Sequence, residues 1–387
     1  ASGSLTATDL GTAAAQIWFD ANTQVSYSYS SPVSSSVSGK RYILDSSVSP
    51  NPSPASPINS LGAATPVTAT YKAQYDTTTT VTSSANPSVY GQPVTFTATV
   101  ATVASGGPTP TGSVQFSVDG SPYGSPVALS GGQAAVTISS LAVGGHTIAA
   151  SYTPDTDSFT GSSGTLSQTV NKANTTTTVT SSANPSLLGQ PVTFTATVSV
   201  VAPGAGTPTG SVSFYDGTTL LGTAALSGNQ AQFTTSSLGV GSHNITASYS
   251  GDGNFNGSTS TTLVQQVNYG FLGLQSPYAP PPATFNVKRT MPLKWQYTDN
   301  NGNVVNSSTA NPQVIIYGPY TCGQPDTAGT ITVNDAGSSG YQYDPTTNTW
   351  QFNWQIKGNL TGCYDIYIKS QQSGQQNGPF PISVVNK

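Results

Sequence analysis

Glutamate is absent from this chain of 387 residues, and ions of any kind are scarce. Ten Lys+Arg and 14 acids, all Asp, make 6% charged residues where about 25% is usual. Without clusters of Lys or Arg, and with a net charge of −4, the chain has no electrostatic footprint for nucleic acid or anionic lipid. One Met, no Glu and few Lys exclude long amphipathic helices. No apolar run approaches the roughly 18 to 20 residues of a membrane span, and no basic, apolar leader precedes Ala1, so a secreted protein is expected here in its mature form. Only two Cys and two His are present, which leaves few ligands for a metal and few bases for catalysis. Neither a metal nor a cofactor is expected.

What abounds is Gly (40), Pro (28), Ser and Thr, a composition that could signal disorder. Against that stand 35% hydrophobic residues, with 19 Tyr, 12 Phe and 4 Trp to bury. The chain should fold, with hydroxyls and amides rather than ions solvating its surface. Such a surface changes little with pH.

An internal repeat organises the middle of the chain. TTTTVTSSANPSVYGQPVTFTATV from Thr77 returns as TTTTVTSSANPSLLGQPVTFTATV from Thr175, a spacing of 98 residues. The match continues through TPTGSVQFSVDG and TPTGSVSFYDG (from Thr109 and Thr207), then LAVGGHTIAASY and LGVGSHNITASY (from Leu141 and Leu238). Val94, Phe96, Ala98 and Val100 alternate with polar residues, as do Val114, Phe116 and Val118, which predicts half-buried strands. Turn signals at Asn86-Pro87, Asp119-Gly120 and Gly131-Gly132 punctuate them at the spacing of an antiparallel sandwich. The fold class expected is all-β, with tandem immunoglobulin-like sandwiches in an extended rod.

The motifs ANPSxxGQPVTFTATV, PTGSVxFxDG and LxVGxHxIxASY resemble the bacterial Ig-like repeat domains of secreted and surface proteins. The resemblance implies noncatalytic modules that space or present others. Four domains are expected: 1–75, a small β domain; 76–172 and 173–268, the repeats; and 269–387. The last carries Pro292-Leu293-Lys294-Trp295 and a Tyr343-Asp344-Pro345 turn before Trp350, which is similar to the PxKF-type β module, with Trp295 where that pattern prefers Phe.

Cys322 and Cys363 lack CxxC spacing and predict one disulfide in an oxidising compartment. His146 and His243 occupy matching places, so both are expected to tie a turn rather than to catalyse. Asp155 and Asp157 lie close enough to suggest a weak calcium site, although a turn is the simpler reading. Trp350, Phe352 and Trp354 share one strand face, which makes either the inner face of a sheet or a platform that stacks on sugars. Tyr278, Tyr320, Tyr341 and Tyr364 are looser candidates for surface contact. Asn174, Asn244, Asn256, Asn306 and Asn359 satisfy the N-x-S/T rule, and glycans there would solvate a surface poor in charge. Lysine-based isopeptide staples are excluded in the repeats, since no lysine lies between Thr77 and Asn171 and Lys172 is the only one from there to Lys288.

Three functions compete. The first is a structural subunit of an extracellular filament, a homopolymer in which an end segment adds a strand to the next copy. Its donor is expected in the N-terminal stretch, with Ser2, Leu5, Ala7, Leu10 and Ala13 along it. The second is a surface adhesin or stalk whose last domain binds a glycan. The third is a noncatalytic module accompanying a secreted hydrolase.

Overall fold

The computed structural model describes residues 33–44, 71–276, 278, 283–286, 290–322, 341–355 and 361–385. Among them every regular element is a strand. The expected donor residues Ser2 to Ala13 and the glycan acceptor Asn359 lie outside the described residues.

Each repeat opens on threonines because β-branched side chains suit a pleated, half-buried surface. In Thr77–Ser83, Thr77, Thr79 and Val81 point inward and the residues between them outward. The two inward hydroxyls lie 2.8 Å from Ser162 Oγ, so threonine enters the core edge without leaving a polar atom unpaired. Thr175 and Thr177 repeat the arrangement on Ser258. A three-stranded sheet, Thr77–Ser83, Val94–Thr102 and Gln133–Ile138, forms one layer of the first sandwich. The other layer runs Ser88–Val89, Ser162–Asn171, Gly144–Pro154, Gly112–Val118 and Ser121–Ala128. Ser88–Val89 pairs with Ser162–Asn171 in parallel, unlike the other strand pairs of this sandwich. Phe96, Val114, Phe116, Ile148 and Tyr152 fill the space between the layers.

The second repeat reproduces both sheets, from Thr175–Ser181 to Leu263–Asn268. It also reproduces a buried glutamine. Gln168 accepts from Ser83 Oγ and donates to Ala85 O, and Gln265 does the same with Ser181 and Ala183. A neutral amide with its bonds met is compatible with a dry interior, whereas an unpaired ion is not.

Two compact units divide the chain: Ala1–Ala173 with Ala202–Gly206, and Asn174–Val201 with Thr207–Lys387. In the first, a sheet of Val33–Ser34, Lys40–Leu44 and Tyr71–Tyr75 joins the sandwich through Tyr75, which donates to Ser158 O and accepts from Thr160 N. In the second, the last domain stacks two four-stranded sheets. One runs Gly270–Leu274, Thr290–Thr298, Thr349–Gln355 and Tyr341–Asp344, and the other Ala283–Asn286, Gln376–Val385, Gly362–Ser370 and Pro312–Tyr320. Leu188 and Val240 of the second repeat pack against its aromatic core, and Gln266 Nε2 donates to Ser373 O at 2.8 Å.

Candidate functional site

The paired histidines staple turns. His146 starts down its strand at the rim of the core, with Nδ1 2.7 Å from Asp119 Oδ2 and Nε2 2.9 Å from Ala142 O. Asp119 takes a positive φ of 51° in the Asp119-Gly120 hairpin turn, and its other oxygen accepts from Thr147 N. His243 repeats the arrangement with Asp216 Oδ2 and Gly239 O. Each ring therefore faces an acceptor on both sides, an arrangement that the doubly protonated imidazolium satisfies in full. For His146 the side-chain hydrogen bond to Asp119 raises the pKa above its usual value. Asp119 is in turn lowered, chiefly by the same bond.

The sign of the pH effect follows from linkage. His146 contributes its stability fully below the unfolded value of about 6.5, and loses it as pH rises through the higher folded value. Asp119, whose pKa is lowered, contributes above its unfolded value and loses that only in acid. We expect the melting temperature of the first repeat to fall by a few degrees from pH 5 to pH 8. In His146→Gln that slope should flatten, and an equal slope in the variant would remove the staple from the explanation.

The acids of the suspected calcium turn are bound elsewhere. Asp155 accepts from Thr111 Oγ1 at 2.6 Å, and Asp157 pairs with Lys72 Nζ at 2.7 Å. In the second repeat Asp252 is opposed by burial, yet hydrogen bonds from Thr209 Oγ1 and N, Asn254 N and Phe255 N hold its pKa down to about 2. Among the described residues no three His, Cys or Asp converge as metal ligands do.

Cys322 and Cys363 form the expected disulfide, with Cα atoms 5.0 Å apart. Trp350, Phe352 and Trp354 do share a face, but it is the inner one, at 8%, 1% and 6% exposure. Of the two readings of this stripe the structure has the inner face of a sheet and not the sugar platform: packed against Leu293, Trp295 and Tyr364, the rings have no free face for a ligand. Trp350 Nε1 donates inward to Ser307 O. Tyr364 is buried too, Tyr341 Oη accepts from Val314 N, and Tyr278 donates to Pro381 O. Asn174, Asn244, Asn256 and Asn306 are exposed, as acceptors for glycans must be.

The other face of the same sheet holds what the sequence analysis missed, a concave groove of about 690 Å³. The pleat sends Lys294, Gln296, Thr349, Gln351, Gln342 and Asp344 outward while the aromatics between them turn in. Register then sorts them into two rows. Lys294 stands opposite Gln351 and that opposite Gln342, while Gln296 stands opposite Thr349 and that opposite Asp344. Gln275, whose backbone N donates to Lys294 O, lies beside the first row and reaches the second through Nε2, which donates to Gln296 Oε1, while Gln296 Nε2 donates to Thr347 O at 2.7 Å. Asp344 accepts from Thr347 Oγ1 and Thr346 N, which lowers its pKa.

The repeats also share a family: residues 80–171 and 178–268 each match the bacterial Ig-like domain (group 3). The two repeats are bacterial Ig-like domains. No curated protein matches the chain. Solved structures similar to it include the fibronectin(III)-like modules of Clostridium thermocellum CbhA, 18% identical over 48% of this chain and 92% of that one, with a TM-score of 0.20. The Escherichia coli adhesin FdeC is 13% identical over 80% and 97%, at 0.27, and a fragment of the ICAM-5 ectodomain is 11% identical over 80% and 77%, at 0.34. The match to bacterial Ig-like domains ends at residue 268, so the PxKF likeness of the last domain rests on its motifs alone.

Proposed function

We propose that this chain is a structural subunit of an extracellular filament or surface appendage, in which the N-terminal stretch of one copy adds a strand to a sheet of the next. Tandem bacterial Ig-like domains support an extracellular, surface role, and the disulfide suits an oxidising compartment. The observation that carries the finer reading is the strand Pro312–Tyr320. Among the described residues it ends its sheet, with Gly362–Ser370 as its one hydrogen-bonded neighbour. Val314, Ile315 and Ile316 give it a run of β-branched side chains, and its prolines sit near the ends. By contrast, Ser121–Ala128 at the end of a sheet in the first repeat carries Pro122, Gly124 and Pro126, residues that discourage pairing. A strand that ends its sheet and carries no charged residue is the kind of edge to which a further strand adds through main-chain hydrogen bonds. Repeated head to tail, that contact does not close and builds a fibre.

Negative-stain imaging of the purified protein tests this. Long regular fibres are expected from the full chain and their loss on deletion of residues 1–15. Fibres that persist in the deletion variant would reject the donor, and single particles at every concentration would reject the filament.

A further inference from the structure

We propose that the groove on the outer face of the last domain, lined by Lys294, Gln296, Gln342 and Gln351, binds an acidic oligosaccharide, with Lys294 holding a carboxylate of a uronic-acid unit and the glutamine amides holding ring hydroxyls. The site is independent of the filament reading.

A sheet face that needs only to be wet does not require this composition. On the first repeat the outward positions of two neighbouring strands are Thr78, Thr80, Thr97 and Thr99, which favour the strand and lose little rotamer freedom. The groove instead gathers four glutamines, Gln275, Gln296, Gln342 and Gln351, on a sheet where glutamine has no such preference and loses more on ordering. Several of these amides are already fixed. Gln296 is held between Gln275 and Thr347, and Gln351 Nε2 donates to Asn353 Oδ1 at 2.8 Å. Donors and acceptors set in advance reduce the ordering cost of binding.

Lys294 adds the charge. Ion pairs among the described residues are Arg41–Asp76, Lys72–Asp157 and the two His–Asp staples, so its ammonium lacks a carboxylate there. It is half-buried in the row that continues through Gln351 and Gln342, in a chain with only 10 cationic residues. Asp344, the acid of the groove, has its oxygens engaged by Thr346 and Thr347 and presents them to the hairpin rather than to the lysine. Tyr343, packed on Trp350, is the one aromatic of the lining and no Val, Leu, Ile, Phe or Trp joins it, so a ligand is recognised chiefly through hydroxyls and one anion. A volume of about 690 Å³ falls within the range of small-ligand sites.

Titration of the full-length protein with oligogalacturonate, followed by NMR or calorimetry, should show saturable binding that weakens with added salt. The neutral galactose oligomer of the same length should bind at least about tenfold more weakly, the loss expected for one charge-assisted hydrogen bond. Lys294→Gln should remove that preference while leaving the melting temperature unchanged. Gln342→Ala should weaken both oligomers, which keeps the test independent of the lysine. Equal affinity for the two oligomers in the native protein, an unaltered preference in Lys294→Gln, or no saturable binding of either oligomer would overturn the proposal.

Discussion

Replacing Trp350 by alanine should destabilise the last domain by about 3–5 kcal/mol, the range for losing a large aromatic from a packed core. The indole is 8% exposed, packs among Trp295, Phe352 and Tyr343, and lies 5.0 Å from the Tyr343 ring between centroids. Its Nε1–H also donates to the Ser307 carbonyl, which accepts from Ala310 N as well, so truncation leaves a cavity and removes one of that carbonyl's two hydrogen bonds. In calorimetry the transition of this domain should fall by more than about 10 °C. Trp350→Phe, which keeps a ring but not the donor, should lie between. A melting curve equal to that of the parent would mean that the side chain is not packed as described. The experiment also separates core from platform, because a sugar-stacking tryptophan on the surface would lose binding and leave the melting curve alone.

Reduction of the Cys322–Cys363 disulfide should cost the same domain about 4 kcal/mol, from the unfolded-chain entropy that a loop of this length removes. The residues are 41 apart in sequence. Tyr320 faces Cys363 in the sheet register, so the bridge sits at the end of the strand Pro312–Tyr320 and ties it to its neighbour. Thermal unfolding with and without reductant, and in a Cys322→Ser, Cys363→Ser variant, measures the effect. Transitions that coincide within a degree would show that the closed loop contributes nothing. In the filament reading the same treatment should weaken assembly, since the acceptor strand would lose its anchor.

Much of this structure was legible in the sequence because strand burial follows a period of two and the repeats state each strand twice. Val94, Phe96 and Ala98 are buried in the first sandwich as Val192, Phe194 and Ala196 are in the second. The turn role of His146 and His243 was readable for the same reason: a feature copied in place serves the fold. The aromatic stripe Trp350, Phe352 and Trp354 shows where that reasoning stops. Alternation says that three residues share a face, but which face is covered depends on the second sheet of the domain. The groove was illegible for a further reason. Its glutamines stand on separate strands, with Gln275, Gln296, Gln342 and Gln351 spread over the sequence, and only cross-strand register brings them into rows.

The parallel pairing of Ser88–Val89 with Ser162–Asn171, extended by Tyr90 N donating to Asn171 O at 2.9 Å, has a mechanical meaning. Ser186–Leu187 and Leu263–Asn268 copy it, with Leu188 N on Asn268 O. When a repeat is pulled by its two ends, parallel partners slide along one another and their bonds must break together. A hairpin pulled at its open end unzips one bond at a time. Each sandwich thus sets a few backbone bonds at its C-terminal exit in the shear geometry, with no covalent staple beside them.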